Sequence, residues 1–131
     1  MKIKVKKLDK KVDSRGWFAE VIRLEDLDKH EKFGQIHISI AKPGQIKGQH
    51  YHARKTEWFC VLKGRGLLIL IDKKTRQKKK IVVGEDIMVN IKIPPGVWHA
   101  IENKGKDDLY LLAYISEPFN PNDPDTYYEE L

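Results

Sequence analysis

The chain has 131 residues, enough for one domain with its own core and too few for two. It is 40% hydrophobic and 34% charged, which excludes disorder, and its net charge of +6 comes from scattered Lys and Arg without a nucleic-acid-binding motif, so the expected partner is an anionic small molecule and not nucleic acid. One cysteine, Cys60, excludes an internal disulfide; the N-terminal MKIKVKKLDKK lacks the apolar stretch of a signal peptide, and the longest apolar run, residues 67–71, is too short to span a bilayer, so a cytoplasmic, membrane-free protein is expected.

Residues 2–8 intersperse lysines among Ile3, Val5 and Leu8, the pattern of an edge strand whose charges discourage aggregation. Asp13-Ser14-Arg15-Gly16 reads as a turn, residues 17–24 as a strand, and residues 24–33 as a short helical turn or an irregular loop. Over residues 35–42 the alternation is clear, with Ile36, Ile38 and Ile40 on one face and Gln35, His37 and Ser39 on the other; which face turns inward is open at this level. Strands follow over 57–62, 67–72, 78–83, 87–93, 98–103 and 109–116, and the hairpin tip carrying Lys73, Lys74, Arg76 and Lys78 reads as a solvated loop. The tail FNPNDPDTYYEEL, rich in Pro, Asn and Asp, is expected to wrap the body of the protein without a regular strand. About nine strand-like runs and no long helical period make the chain all-β.

The chemistry gathers in GQIKGQHYHARKTEWFCVLKG, residues 44–64. His50 and His52 share one face of an extended strand, and a short turn brings Glu57 towards them. His99 follows the Pro94-Pro95-Gly96 turn near the start of a later strand. Written as spacings, G-x5-H-x-H-x4-E-x6-G and P-x-G-x2-H-x3-N resemble the two motifs of the cupin superfamily; the second lacks the early glycine, Met88 standing in its place. The resemblance implies a jelly-roll barrel over residues 1–131, with 117–131 as an irregular tail, and His50, His52, Glu57 and His99 as ligands of a divalent metal, zinc first, with nickel, iron or manganese also suited to the set. A homodimer formed through the N-terminal strand is expected from the need to cover exposed edges.

Two further stretches narrow the resemblance. DSRGWFAE, residues 13–20, is similar to the D-x-R-G-x-F-x-E signature of the dTDP-4-dehydrorhamnose 3,5-epimerases, FGQIHIS looks like their F-x-Q-x-N-x-S with His37 in place of asparagine, and KGQHY looks like their R-G-L-H-Y. Nearly the whole chain resembles the C-terminal cupin domain of bifunctional capsular-polysaccharide reductase/epimerase enzymes, through HYHARKTE, IPPGVWHAIEN and EPFNPNDPDTYYEE. That likeness implies zinc and a nucleotide-linked 4-keto-6-deoxy sugar, UDP- or dTDP-linked, contacted by Arg15, Glu20, Gln35 and Lys47. Glu57 stands where metal-free epimerases carry an active-site lysine.

A carbonyl at C4 acidifies the hydrogens on C3 and C5, so an epimerase must stabilise an enolate and move protons. His50 is the base in metal-free relatives, but an imidazole whose lone pair is bound to metal cannot accept a proton with it. Its role is therefore open between base and ligand; if metal is bound, His37 and Tyr114 are the alternative proton-transfer groups, Tyr114 lying near the tyrosine position that the epimerase resemblance implies. Three readings stand: a sugar-nucleotide epimerase or isomerase; a metal-dependent oxygenase or isomerase of another small substrate; and a non-catalytic sugar-binding cupin that partners a separate sugar-nucleotide reductase.

Overall fold

The fold was obtained as a computed structural model, which describes residues 1–29 and 31–131. In chain order the strands are β1 (Lys4–Lys7), β2 (Lys11–Asp13), β3 (Gly16–Phe18), β4 (Gln35–Ala41), β5 (Ile46–Tyr51), β6 (Glu57–Lys63), β7 (Arg65–Asp72), β8 (Lys78–Gly84), β9 (Val89–Ile93), β10 (Val97–Asn103), β11 (Leu109–Ile115) and β12 (Tyr127–Tyr128). The helical content of the described residues is a single 3-10 turn, Leu24–Asp26, and no helix among them is long and apolar enough to cross a membrane.

One sheet has the order β1-β9-β6-β11-β4 and the other β12-β5-β10-β7-β8, with every neighbouring pair antiparallel. Packed face to face, the two sheets form the all-β jelly roll expected from the cupin motifs. Alternation decides what each strand turns inward. Phe59 and Val61 of β6, Leu68 and Leu70 of β7, Ile91 and Ile93 of β9, and Leu111 and Ala113 of β11 form one buried cluster between the sheets. Leu70 is fully buried and lies opposite His99 in the ladder, so the apolar core runs directly up to the histidines.

A second, smaller cluster of Leu8, Cys60 and Met88, with Ala19, Val21 and Leu62 packed against it, covers the outer face of β6. Burial pushes the Cys60 thiol up to about 11, so it packs as an apolar side chain and stays protonated at neutral pH.

The face left open by the alternation of β4 is resolved. Gln35, His37 and Ser39 line a cavity, while Ile36, Ile38 and Ile40 are 56%, 59% and 45% exposed on the outside. Lys4–Lys7 forms the outer strand of its sheet, as expected, and the exposed lysines of β8 likewise occupy an edge.

Two expectations are corrected. The strand over 17–24 is only Gly16–Phe18 in a hairpin with β2; beyond it the chain is held by packing of Ala19 and Val21 and by side chains, with Asn90 Nδ2 donating to Val21 O at 3.0 Å and Arg23 pairing with Glu20 and Glu25. The tail does contribute a strand: Tyr127 and Tyr128 pair with Tyr51 and His50 at the edge of the second sheet. Residues 24–33 are a loop opened by the 3-10 turn, of which position 30 lies outside the described residues.

Asn103, which closes the second motif, is structural. It is buried, Nδ2 donates to Ala41 O and Asp107 O at 2.8 Å each, and Oδ1 accepts from Gly105 N at 2.9 Å. Replacing it by Ala strands buried backbone groups at the cavity-distant end of β10, so Asn103→Ala should cost about 3 kcal/mol in chemical denaturation, from a desolvation penalty of roughly 1–3 kcal/mol per unsatisfied group.

Candidate functional site

At one end of the barrel the inward faces change from apolar to ionisable. Glu57 is the first residue of β6, His99 the third of β10, His50 lies on β5 and His52 just past its end, and His99 and His50 are direct partners in the ladder. The strand period and one turn thus bring together the four residues that the motifs single out.

One ligand atom from each lies within 4.8 Å of the others. Glu57 Oε1 is the centre: His52 Nε2 is hydrogen-bonded to it, His99 Nε2 is 3.2 Å away and His50 Nε2 4.0 Å. The rings are tilted or edge-on to each other, with the His50 and His99 centroids 4.7 Å apart.

The outer nitrogens set the tautomers. His52 Nδ1 donates to Asp125 O at 2.7 Å and His99 Nδ1 to Val97 O at 3.0 Å. A carbonyl oxygen only accepts, so both Nδ1 atoms carry hydrogen and both Nε2 atoms turn towards the carboxylate. His99 Nε2 is buried without a hydrogen-bond partner. Such lone pairs facing a carboxylate call for a cation or a proton between them. The donor set of imidazole nitrogens and one carboxylate oxygen, with the His52 and His99 rings fixed from behind, therefore fits a divalent metal.

Without a metal the charges balance differently. Burial alone would raise the Glu57 pKa, but the neighbouring His99 and His52 rings outweigh it and hold the carboxyl below the usual range. Burial likewise opposes protonation of His52, and the bond to Glu57 overcomes it, raising its pKa. His50 has no such partner: burial, then the nearby His99, lowers its pKa to about 4.

The cluster opens into a cavity of about 390 Å³. Gln35, His37, Lys47, His50, His52, Glu57 and His99 line it, as does the apolar set Phe59, Ile101, Leu111, Ile115 and Phe119. Gln35 Nε2 and His37 Nδ1 are 3.4 Å apart on its wall.

Three residues expected at the site are not there. Tyr114 shares β11 with Leu111 and Ile115, which face the cavity, and so points to the other side; its hydroxyl donates to Lys32 O at 2.8 Å and its ring packs on Trp58 and Phe33. The expected proton-transfer role of Tyr114 is corrected on that ground. Arg15 is exposed on the β2–β3 hairpin and paired with Asp13 at 2.7 Å, and Glu20 is paired with Arg23 at 2.6 Å; within one chain neither lines the cavity. The basic hairpin tip is partly drawn into the tail, Lys73 pairing with Glu129.

Other cavity residues lie in the stretches that carry the resemblance, but the sequence assigns them no role. Lys55 is buried, with Nζ donating to Pro124 O at 3.0 Å and lying 5.7 Å from the centroid of the Phe119 ring. Thr126 and Tyr128 line the cavity from the tail, Tyr128 meeting His50 edge-on with centroids 5.4 Å apart.

A jelly roll with three histidines and a glutamate at one end of the barrel is a cupin. Residues 11–127 match the family described as polysaccharide biosynthesis C-terminal domain, and the chain belongs to that family. It is 35% identical over 128 residues to the spore coat polysaccharide biosynthesis protein SpsL of Bacillus subtilis (strain 168), covering 94% of this chain and 84% of SpsL. The crystal structure of the capsular polysaccharide assembling protein CapF from Staphylococcus aureus matches 95% of the chain with TM-score 0.73 and 36% identity, but only 34% of CapF is covered, so the chain spans about a third of that protein. The fold is also that of dTDP-6-deoxy-D-glucose-3,5-epimerase RmlC from Legionella pneumophila, determined with dTDP-4-keto-L-rhamnose, at TM-score 0.81 and 17% identity over 92% of this chain and 69% of that one.

The depressed pKa of His50 has a sign that can be checked. Between pH 6.5 and about 4 the unfolded chain binds a proton at this position that the folded, metal-free protein does not, so stability falls on acidification across that window. His52, whose pKa is raised, acts in the opposite sense and above pH 6.5, where its contribution is lost as pH rises. Thermal unfolding midpoints of metal-free protein should therefore drop from pH 6.5 to 4.5, and His50→Gln should flatten that drop.

Proposed function

We propose that the protein is a metal-assisted sugar-nucleotide epimerase or isomerase acting on a nucleotide-linked 4-keto-6-deoxyhexose in polysaccharide biosynthesis. The observation that carries this reading is the union, in one cavity, of the Glu57 and three-histidine cluster with His37 and the cations of Lys47 and Lys55 on its walls. Family membership supports the biosynthetic setting. RmlC, whose structure was determined with dTDP-4-keto-L-rhamnose, supports the substrate class.

His50, His52, Glu57 and His99 would hold the metal, zinc suiting the nitrogen and oxygen donors. Bound there, the metal would supply Lewis-acid polarisation of the substrate carbonyl. Lys47 and Lys55 offer positive charge to the diphosphate or to substrate oxygens, and Gln35 offers a hydrogen-bonding amide. In the reaction a base removes the hydrogen on C3 or C5, the electron pair passes to the C4 oxygen as an enolate, and a proton returns to carbon from the opposite face. His37 can remove or return that proton from the cavity wall. Tyr128 is the tyrosine lining the cavity among the described residues and takes the donor role expected of Tyr114.

Within one chain Arg15 and Glu20 stand outside the cavity, so contacts from them would require the hairpin of a second copy. The exposed Ile36, Ile38 and Ile40 row supports a homodimer, which light scattering would test, and Ile38→Glu should shift such a dimer towards monomer. A separate reductase as partner would follow if the chain binds the sugar without turning it over.

The reaction is tested by incubating a UDP- or dTDP-4-keto-6-deoxyhexose with the protein in heavy water. Deuterium should appear at C3 or C5. Tyr128→Phe or His37→Gln should slow its entry by about 10²–10⁴-fold, the usual contribution of a positioned acid or base, and Tyr114→Phe should leave it close to the parent. Binding of the sugar without deuterium entry, at saturating zinc, would reject the enzyme and favour a sugar-binding cupin; oxygen uptake would favour the oxygenase reading.

A further inference from the structure

The tail meets the site through one residue more than any other. Asp125 is buried and has φ 45°, in the left-handed region that non-glycine residues seldom occupy, so its surroundings must hold it there. Its carboxylate accepts from three successive amides: Ala53 N at 2.9 Å, Arg54 N at 2.9 Å and Lys55 N at 3.1 Å. These are amides of the turn that joins His52 to Glu57. Its main-chain carbonyl accepts from His52 Nδ1 at 2.7 Å. One residue of the tail therefore fixes both the turn between two members of the cluster and the ring of one of them.

The neighbouring contacts seat the same segment. Pro124 O accepts from Lys55 Nζ, Glu129 N donates to Gln49 O at 2.9 Å, and Trp98 Nε1 donates to Glu129 O at 2.7 Å. An imidazole presents Nε2 to a cation only when its proton is kept on Nδ1, and the partner that keeps it there governs affinity about as strongly as 10–100-fold. In His52 that partner belongs to a segment more than seventy residues away in sequence.

We propose that Asp125 is the positioning residue of the histidine–glutamate centre, holding the His52 tautomer with its carbonyl and the 53–55 turn with its carboxylate, so that docking of the tail and binding of a divalent cation are coupled. The cation half of this rests on the metal reading given above. The tautomer half does not. Coupling is reciprocal: a cation that binds more tightly when the tail is seated must also hold the tail in place.

The test uses zinc with a competing chelator, and Asp125→Ala in the full chain. The substitution keeps the carbonyl of residue 125 but removes the three carboxylate bonds that hold it at φ 45°, a conformation alanine disfavours, so the carbonyl should move off His52 Nδ1. Zinc affinity should then fall by about 10–100-fold, and nitrogen NMR of the metal-free protein should show the Nδ1-protonated form of His52 in the parent and its loss in the variant. Zinc should also slow exchange of the Ala53, Arg54 and Lys55 amides in the parent. Arg54→Ala, which removes the pairs with Glu117 and Asp123 and leaves the Asp125 contacts, should keep zinc affinity within about twofold of the parent, separating positioning from general loosening of the turn. If Asp125→Ala does not fold, Asp125→Asn replaces it: the amide nitrogen cannot accept from Arg54 and Lys55, and a smaller loss of affinity is expected. Unchanged affinity in the folded variant overturns the proposal. If the parent binds no zinc, the metal reading fails by itself, and positioning then stands if the His52 tautomer changes in the variant and falls if it does not.

Discussion

The site depends on a carboxylate that is almost completely removed from water. Glu57 is 3% exposed at the start of a central strand, and a charge so placed is tolerated only with opposite charge and hydrogen bonds around it. Each neighbouring element answers that demand. β10 supplies His99, the end of β5 supplies His50 and His52, and the carbonyls behind the His52 and His99 rings keep their Nδ1 protons pointing away from the carboxylate. Taking out one histidine leaves the others facing a buried anion, whereas taking out Glu57 leaves imidazoles with nothing to converge on. The cluster is therefore a cooperative unit, and its parts should not be additive.

The jelly roll makes such a cluster affordable by separating two environments along the same strands. β6 turns Glu57, Phe59 and Val61 inward in succession, and β4 turns Gln35, His37, Ser39 and then buried Ala41. Tight packing lies at one end and the cavity at the other. Its apolar wall of Phe59, Leu111, Ile115 and Phe119 limits water around the ionisable groups, which strengthens every charge interaction there.

What was legible in the sequence followed local rules. His50 and His52 share a face because strands alternate, Glu57 reaches them across a short turn, and the Pro-Pro-Gly turn places His99; the structure brings all four together. The polar face of β4 was legible as a face but not as an inner one, because Ile36, Ile38 and Ile40 form an equally good candidate for burial. The role expected of Tyr114 rested on nearness to a tyrosine position in the epimerase resemblance, and LYLLAYI, apolar at nearly every position, has no alternation to mark which side of β11 faces the cavity. The resemblance around Arg15 and Glu20 was a signature without a position, and one chain does not bring it to the cavity. Asp125, Thr126 and Tyr128 lie in a stretch that carries the family resemblance but assigns them no role, since their partners lie some seventy residues earlier and a Pro- and Asp-rich tail reads as connection.

The tail gives the Glu57 substitution a physical context. A lysine at that position would place one cation inside the barrel; here the cation lies two residues earlier, as Lys55, with its ammonium tied to Pro124 O and its amide tied to Asp125. The strand end is left free for a carboxylate that histidines can surround. Lys55 is a buried lysine on the cavity lining, and among the described residues it is in no salt bridge. The cation and the buried carboxylate thus have separate partners, Pro124 O for one and the histidines for the other, and the tail is the element that touches both.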